Sequence, residues 1–239
     1  MIPLRTRPVA LFGGMMLVAL IALMPLRAGL GLVGASDEGL SAREVVGPVW
    51  FGGLGEARYG DVGLGDVNAS LSPLQLLVGR ARIDLWGREK TTNEGLRGAL
   101  GFSRSTSGVD DVTASLPTGD TFAPLPVTAL ALDDVSVRFR DGVCERASGR
   151  VTATIAGTIP QLNLPPTLSG MAKCDAGALL LPLVSQAGTE SVTLRLRPDG
   201  RYTATLLARP SDPAVGPQLT AAGFRAAGAG YQLAITGSF

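Results

Sequence analysis

Two cysteines and no histidine limit the chemistry that this 239-residue chain can do. Without histidine the commonest general base and a leading zinc ligand are gone. Catalysis would have to rest on carboxylates, a Ser–Lys pair or a thiolate, and none is arranged for it. Cys144 and Cys174 do not form a C-x-x-C pair and have no imidazole to take up a thiol proton. Asp110-Asp111 and Asp133-Asp134 are adjacent carboxylates, which on a strand point to opposite faces instead of converging. Ser169 and Lys173 lack the S-x-x-K spacing of a Ser–Lys nucleophile. The residues therefore predict no enzyme, no metal site and no cofactor.

The glycine-rich stretch GPVWFGGLGEARYGDVGLGDV, Gly47 to Val67, raises the question of phosphate binding. No Gly-Lys-Ser/Thr follows it, and GLGDVN is only a truncated G-x-G-x-x-G. A dinucleotide fingerprint opens a helix, whereas here Pro73 and then a strand pattern follow. The glycines are expected to mark turns and close strand packing. A β-bulge near Gly65-Asp66 would bring Val62 and Leu64 onto the same face as Val67, Ala69 and Leu71. The net charge of +1 exerts no overall pull toward nucleic acid.

The elements that hold these residues begin with Arg5 and Arg7 ahead of an uncharged run from Pro8 to Leu26. At 1.5 Å per residue that run spans roughly 28 Å, close to the hydrocarbon thickness of a bilayer. It reads as a transmembrane helix over 8–26, with a cytoplasmic tail over 1–7 set by the two arginines. The alternative is a cleaved signal peptide with Val33–Ala35 as its site. Either reading exports the remainder, and an oxidising compartment would join Cys144 to Cys174; two buried free thiols are the other reading.

Residues 27–44, small and charged, read as a flexible linker, and 45–239 as one periplasmic β domain. Period-two alternation runs through it. Leu77, Ala81, Ile83 and Leu85 share a face; so do Leu96, Gly98, Leu100 and Phe102; so do Val112, Ala114 and Leu116; so do Val135, Val137 and Phe139; and so do Val151, Ala153 and Ile155. Val192, Leu194 and Leu196 return through Pro198-Asp199-Gly200 to Tyr202, Ala204 and Leu206, and Tyr231, Leu233 and Ile235 form a last strand. Pro182–Gly188 and Pro213–Gly223 read as short helices. The predicted fold class is mainly β: the transmembrane helix, then a twisted or folded-over antiparallel sheet with short helices. Arg80, Arg82, Arg138, Arg140, Arg195 and Arg197 fall on outer strand faces. There they keep the sheet soluble or, more sharply, form a basic stripe toward lipid headgroups or an acidic partner.

GPVWFGG resembles the G-T-V-W-x-G opening of protein N of the bacterial type II secretion system, in Gly47, Val49, Trp50 and Gly52. LSPLQLLVGRARIDL is similar to that family's P-x-x-L-L-x-G strand, in Pro73, Leu76, Leu77 and Gly79. LPPTLSGMAKCDAG continues the likeness with Gly170, Cys174 and Gly177, its cysteine partner lying upstream in DGVCERASG. PDGRYTATL and the terminal GYQLAITGSF complete it. Pro48 stands where the family has Thr, and Asn68 and Ala69 stand where it has a tryptophan. The resemblance implies a bitopic inner-membrane protein with a periplasmic domain, accessory to the export of folded proteins across the outer membrane. Its implied partners are other inner-membrane subunits of the machinery, and it brings no catalytic residues. The same motifs look somewhat like AsmA-type periplasmic proteins, so the alternative function is a lipid-binding or envelope-maintenance module with lipid as an added ligand.

Overall fold

The computed structural model describes residues 8–32, 40–60, 62–76, 78–88, 95–119, 121–156, 164–210, 212–228 and 230–238. Arg5, Arg7 and Leu77 lie outside them. Two helices, α1 (Pro8–Ala22) and α2 (Leu26–Leu32), come first. They are followed by β1 (Leu40–Ser41), β2 (Glu44–Val46), β3 (Gly52–Tyr59), β4 (Val62–Leu71), a single turn α3 (Pro73–Leu76), β5 (Arg80–Gly87), β6 (Arg97–Ser103), β7 (Thr106–Pro117), β8 (Val127–Arg140) and β9 (Val143–Ile155). Next come β10 (Thr167–Met171), β11 (Lys173–Asp175), β12 (Ala178–Val184), β13 (Glu190–Leu196), β14 (Arg201–Ala208), α4 (Gly216–Ala221), β15 (Arg225–Ala227) and β16 (Gly230–Ser238).

These strands form one open sheet in nearly sequential order, β1-β3-β4-β5-β6-β7-β8-β9-β10-β12-β13-β14-β16-β15. Off this path, β2 pairs with β3 and β11 with β12. Every pairing is antiparallel. The order follows from the turns. Asp141 and Gly142 both take positive φ, as a two-residue hairpin turn requires. In the β13–β14 hairpin only Gly200 does, and Arg197 N donates to Arg201 O at 2.9 Å to close it.

The predicted faces become the core. Val135, Val137, Val151, Ala153, Val192, Leu194, Ala204 and Leu206 are all buried in one large cluster, against which Tyr231, Leu233 and Ile235 pack. Phe122, between β7 and β8, meets the ring of Tyr202 on β14 edge-on at 5.2 Å, and Tyr202 Oη donates to Thr121 O. The sheet therefore folds over itself, with α4 contributing the fully buried Leu219. A smaller cluster of Val67, Leu96 and Ala114 takes in Val112 and Leu116. The bulge expected in β4 is present. Ala57 pairs with Gly65 and Arg58 with Gly63, which leaves Leu64 as the extra residue of β4, while the shift between Leu54–Val67 and Ala57–Gly65 puts a second extra residue in β3.

Four expectations change. Helix α1 has 15 residues, not 19, and among the described residues no helix is long and apolar enough to cross a membrane. Pro25 has no N–H to continue the helix and pairs as an isolated bridge with Pro48. Within 27–44, Leu30 and Ala42 pack on Leu26, Leu54 and Ala57, while 33–39, with the candidate cleavage site Val33–Ala35, lie outside the described residues. Pro182 to Val184 is strand, not helix, with Pro182 opposite Thr193. On its other side Pro182 falls where β10 gives way to β11 and no partner residue is paired, so the missing N–H breaks no ladder. In β6 the faces switch at Gly98, whose φ of 155° accompanies a register shift opposite Asp111 and Val112. Leu96 and Ala99 are buried there, while Phe102 is left exposed.

Candidate functional site

Helix α1 ends against the GPVWFGG loop, and the loop supplies what the helix end lacks. The last carbonyls of a helix have no partner within it, and Pro25 removes the N–H that would reach Ile21 O. Trp50 fills this role: its indole Nε1 donates to Ile21 O at 3.2 Å. Val49 N donates to Met24 O at 2.9 Å, and Leu26 N donates to Gly47 O at 2.9 Å. The chain thus caps its own N-terminal helix with a segment more than twenty residues downstream.

Glycine is required twice at this junction. Gly47 takes φ 84° to turn the loop. A Cβ on Gly52 would lie 2.6 Å from Leu26 Cδ2 and 2.7 Å from Val46 O, so only a bare Cα lets Leu26 reach its pocket beside Leu54. Val49 fits over Gly29, where a Cβ would collide with Val49 Cγ2. The motif residues Gly47, Val49, Trp50 and Gly52 therefore act together, as the socket of the helix–sheet joint.

The second motif is spread out. Pro73 opens α3, Leu76 closes it half-exposed, and Gly79 takes φ 72° before β5. The third is a strand-packing device. A Cβ on Gly170 would overlap Pro182 O, and Gly177, at φ 77°, offers its carbonyl to Cys144 N at 2.8 Å. Beside it Cys144 and Cys174 are joined in a disulfide with Cα atoms 5.5 Å apart.

The adjacent aspartates have a structural use that the alternation argument misses. Asp111 and Asp134 both take positive φ at register shifts between β7, β8 and β9. Asp is one of the few side chains that tolerates this conformation. Ser136 holds Asp111 in place, accepting from its backbone N at 2.9 Å and donating to its Oδ1 at 3.0 Å. Ser169 and Lys173 pair with Thr152 and Leu180 respectively and do not meet.

The outer-face arginines separate into two groups. Arg195 pairs with Asp175, and the Asp199 carboxylate, beside Arg197, is held below the usual carboxylate range, chiefly by the side-chain hydrogen bond from Arg201. Arg80, Arg82, Arg138 and Arg140 instead converge on a single trough of about 300 Å³ across β5 to β8. At the sheet's margins, β1 and β2 cover β3, whereas β15 pairs only with Gly230 to Gln232 of β16. Among the described residues, Leu233 to Ser238 has no ladder partner on that side.

Comparison with known proteins adds one family and one relative. Residues 38–234 match the family described as Type II secretion system (T2SS), protein N. The chain is 28% identical over 214 residues to the type II secretion system protein N of Vibrio cholerae serotype O1, covering 84% of each chain. No solved structure matches it.

Proposed function

This chain belongs to the type II secretion system protein N family, and from that premise we propose that it is a non-enzymatic, single-pass subunit of the secretion machinery. Its N-terminus is cytoplasmic, and its β domain stands on the periplasmic face of the inner membrane. The machinery exports folded proteins across the outer membrane, and this subunit contributes by binding other inner-membrane subunits.

The observation that carries the reading is the capped end of α1. On the helix and just after it, Phe12, Met15, Val18 and Leu23 are each exposed by about two thirds or more, as side chains meant for hydrocarbon would be. Pro8 to Met24 is 17 residues, at the short end of what spans a bilayer. Arg5 and Arg7, ahead of it in sequence, supply the positive charge that favours a cytoplasmic N-terminus. Leu26 belongs to the domain core, so the span stops at the cap. The unpaired margin of β16 supports assembly, since a free strand edge can accept a partner strand through main-chain hydrogen bonds. The lipid-module alternative is less well supported, because the inner-face aliphatics of β8 to β14 are buried against one another.

The test uses the full chain. A reporter fused after Phe239 should be active only in the periplasm, and the chain should resist alkaline extraction and co-purify with other inner-membrane subunits. A chain reduced to residues 1–44 should stay in the membrane and lose those partners. A cytoplasmic Phe239, or normal secretion in cells lacking the gene, would overturn the proposal.

A further inference from the structure

We propose that the arginine trough on β5 to β8 is a phosphate site for an anionic phospholipid headgroup in the leaflet that α1 enters. The inference rests on the membrane-anchored reading above. Register builds the trough. Arg82 pairs with Gly101, Gly101 with Gly108, and Gly108 with Arg138, so four consecutive strands place two arginines on either side of a floor without side chains. Arg146 extends the row beyond Arg138. Two residues nearer the strand ends, Arg80 lies opposite Ser103, and Arg140 opposite Thr106. Arg82 is engaged by Asp84 at 2.9 Å and by Asp110 at 3.4 Å, and Arg140 by Glu145 at 3.2 Å. Arg80 and Arg138 form no ion pair among the described residues. The lining carries four arginines against one carboxylate, Asp110. Guanidinium groups suit phosphate oxygens because they present paired N–H donors.

Position favours a lipid over an acidic protein segment. The Arg80 and Arg140 ends of the strands are the same end of the sheet from which α1 departs. Trp50, whose indole caps α1, accepts through its carbonyl from Leu71 N at 3.2 Å, and Ser72 N donates to Arg82 O at 3.1 Å. Large apolar side chains stand exposed along that end: Phe51 beside the cap, Leu74 and Val78 between β4 and β5, and Val143 in the β8–β9 hairpin. Cationic walls fringed with apolar side chains, next to a hydrocarbon-seeking helix, match the headgroup zone of a bilayer.

Native mass spectrometry of the full chain in dodecylmaltoside, titrated with phosphatidylglycerol and separately with phosphatidylcholine, tests the proposal. Wild type should hold phosphatidylglycerol at least about tenfold more tightly, and the Arg80→Glu/Arg138→Glu pair should weaken it on the order of 30-fold. Gly101→Leu fills the floor without changing charge. A Cβ there meets nothing nearer than Asp110 Oδ2 at 3.9 Å, so this variant should fold and lose the preference too. Arg225→Glu, on distant β15, should keep it. Equal retention of the two lipids by wild type, or an unchanged preference in the folded double or Gly101 variant, overturns the proposal and leaves a protein carboxylate as the occupant. Alkaline extraction of the same chain from membranes judges the anchor by itself, so either reading can fail without the other.

Discussion

Gly52→Ala is the sharpest perturbation of the helix–sheet joint. The added methyl would sit 2.6 Å from Leu26 Cδ2, which can give way, and 2.7 Å from Val46 O and 3.2 Å from Pro48 O, which are backbone. The joint must open, and overpacking of this kind costs about 1–3 kcal/mol. The cost should fall locally, because Leu26, Leu54 and Ala57 form a cluster of their own, apart from the large one. At about 1.4 kcal/mol per decade, local opening becomes roughly 5- to 150-fold more frequent. Hydrogen exchange by mass spectrometry on the detergent-solubilised full chain reads this at the amides of Leu26 and Val49, whose acceptors are Gly47 O and Met24 O. Trp50→Phe keeps the ring but strands Ile21 O, and should raise the same rates about fivefold, for one hydrogen bond of about 1 kcal/mol. Gly101→Ala, which has room, is the control. If Gly52→Ala leaves both amides within twofold of wild type, or speeds exchange equally in β13 and β14, the cap is not a separate joint and the reasoning fails.

Two further effects can be measured on the same protein. The Cys144–Cys174 bridge closes a loop with a sequence separation of 30, which in the chain-entropy account contributes about 4 kcal/mol; reduction, or Cys144→Ala/Cys174→Ala, should therefore lower the thermal midpoint by roughly 10 °C, and a shift under 2 °C would contradict it. Asp199 accepts from Arg201 Nε at 2.7 Å and from Arg201 N at 3.1 Å, and its pKa is lowered chiefly by that side-chain bond. A carboxylate whose folded pKa is depressed gives its stabilisation above the unfolded value and loses it as pH falls through the folded one, so the Asp199 contribution is fully present and pH-independent near neutrality and fades only in acid; Arg201→Ala should raise its NMR titration midpoint, and an unmoved midpoint would refute the pairing.

Where one face of a strand is buried and the other wet, the alternation was readable: β8, β9, β13 and β14 bury most of the residues it picks out, and those of β16 pack half-buried against them. It failed where an extra residue shifts the register. Leu96, Gly98, Leu100 and Phe102 share a parity in sequence, but the kink at Gly98 hands burial to Ala99. The available signal was the aspartate pair at Asp110-Asp111, read as facing both ways when its second member takes the left-handed turn of a bulge. Pro182–Gly188 reads as a short helix in sequence, and nothing local reveals that Pro182 stands in a strand at a change of partner. The capped helix was half legible. The apolar run and the Gly47 to Gly52 motif were both visible, but that one ends on the other depends on Trp50 reaching Ile21 O across 29 positions. The trough was the least legible: each arginine looked like an ordinary outer-face charge, and only pairing through Gly101 and Gly108 puts Arg82 and Arg138, far apart in sequence, into one row.

Cap and trough depend on each other geometrically. A helix joined to a domain by a loose linker leaves the domain free to tumble, so no patch on it has a fixed distance from the helix. Here only Leu23 to Pro25 separate α1 from α2, and these residues are tied to the sheet by Val49 N to Met24 O and by the Pro25–Pro48 bridge. Leu26, the first residue of α2, is already in the core of the sheet's first strands. The direction in which α1 leaves is therefore a property of the fold, as is the side of the helix on which Arg80, Arg82, Arg138 and Arg140 stand. Because the trough lies two strands from the cap and at the same strand ends, any surface that receives α1 end-on also meets those arginines. A charged patch on a freely jointed domain must find its ligand by diffusion, whereas one fixed at the foot of the helix meets it at the high local concentration set by that attachment. Weak single contacts from exposed arginines then suffice, which fits walls that are half open to solvent instead of a closed pocket.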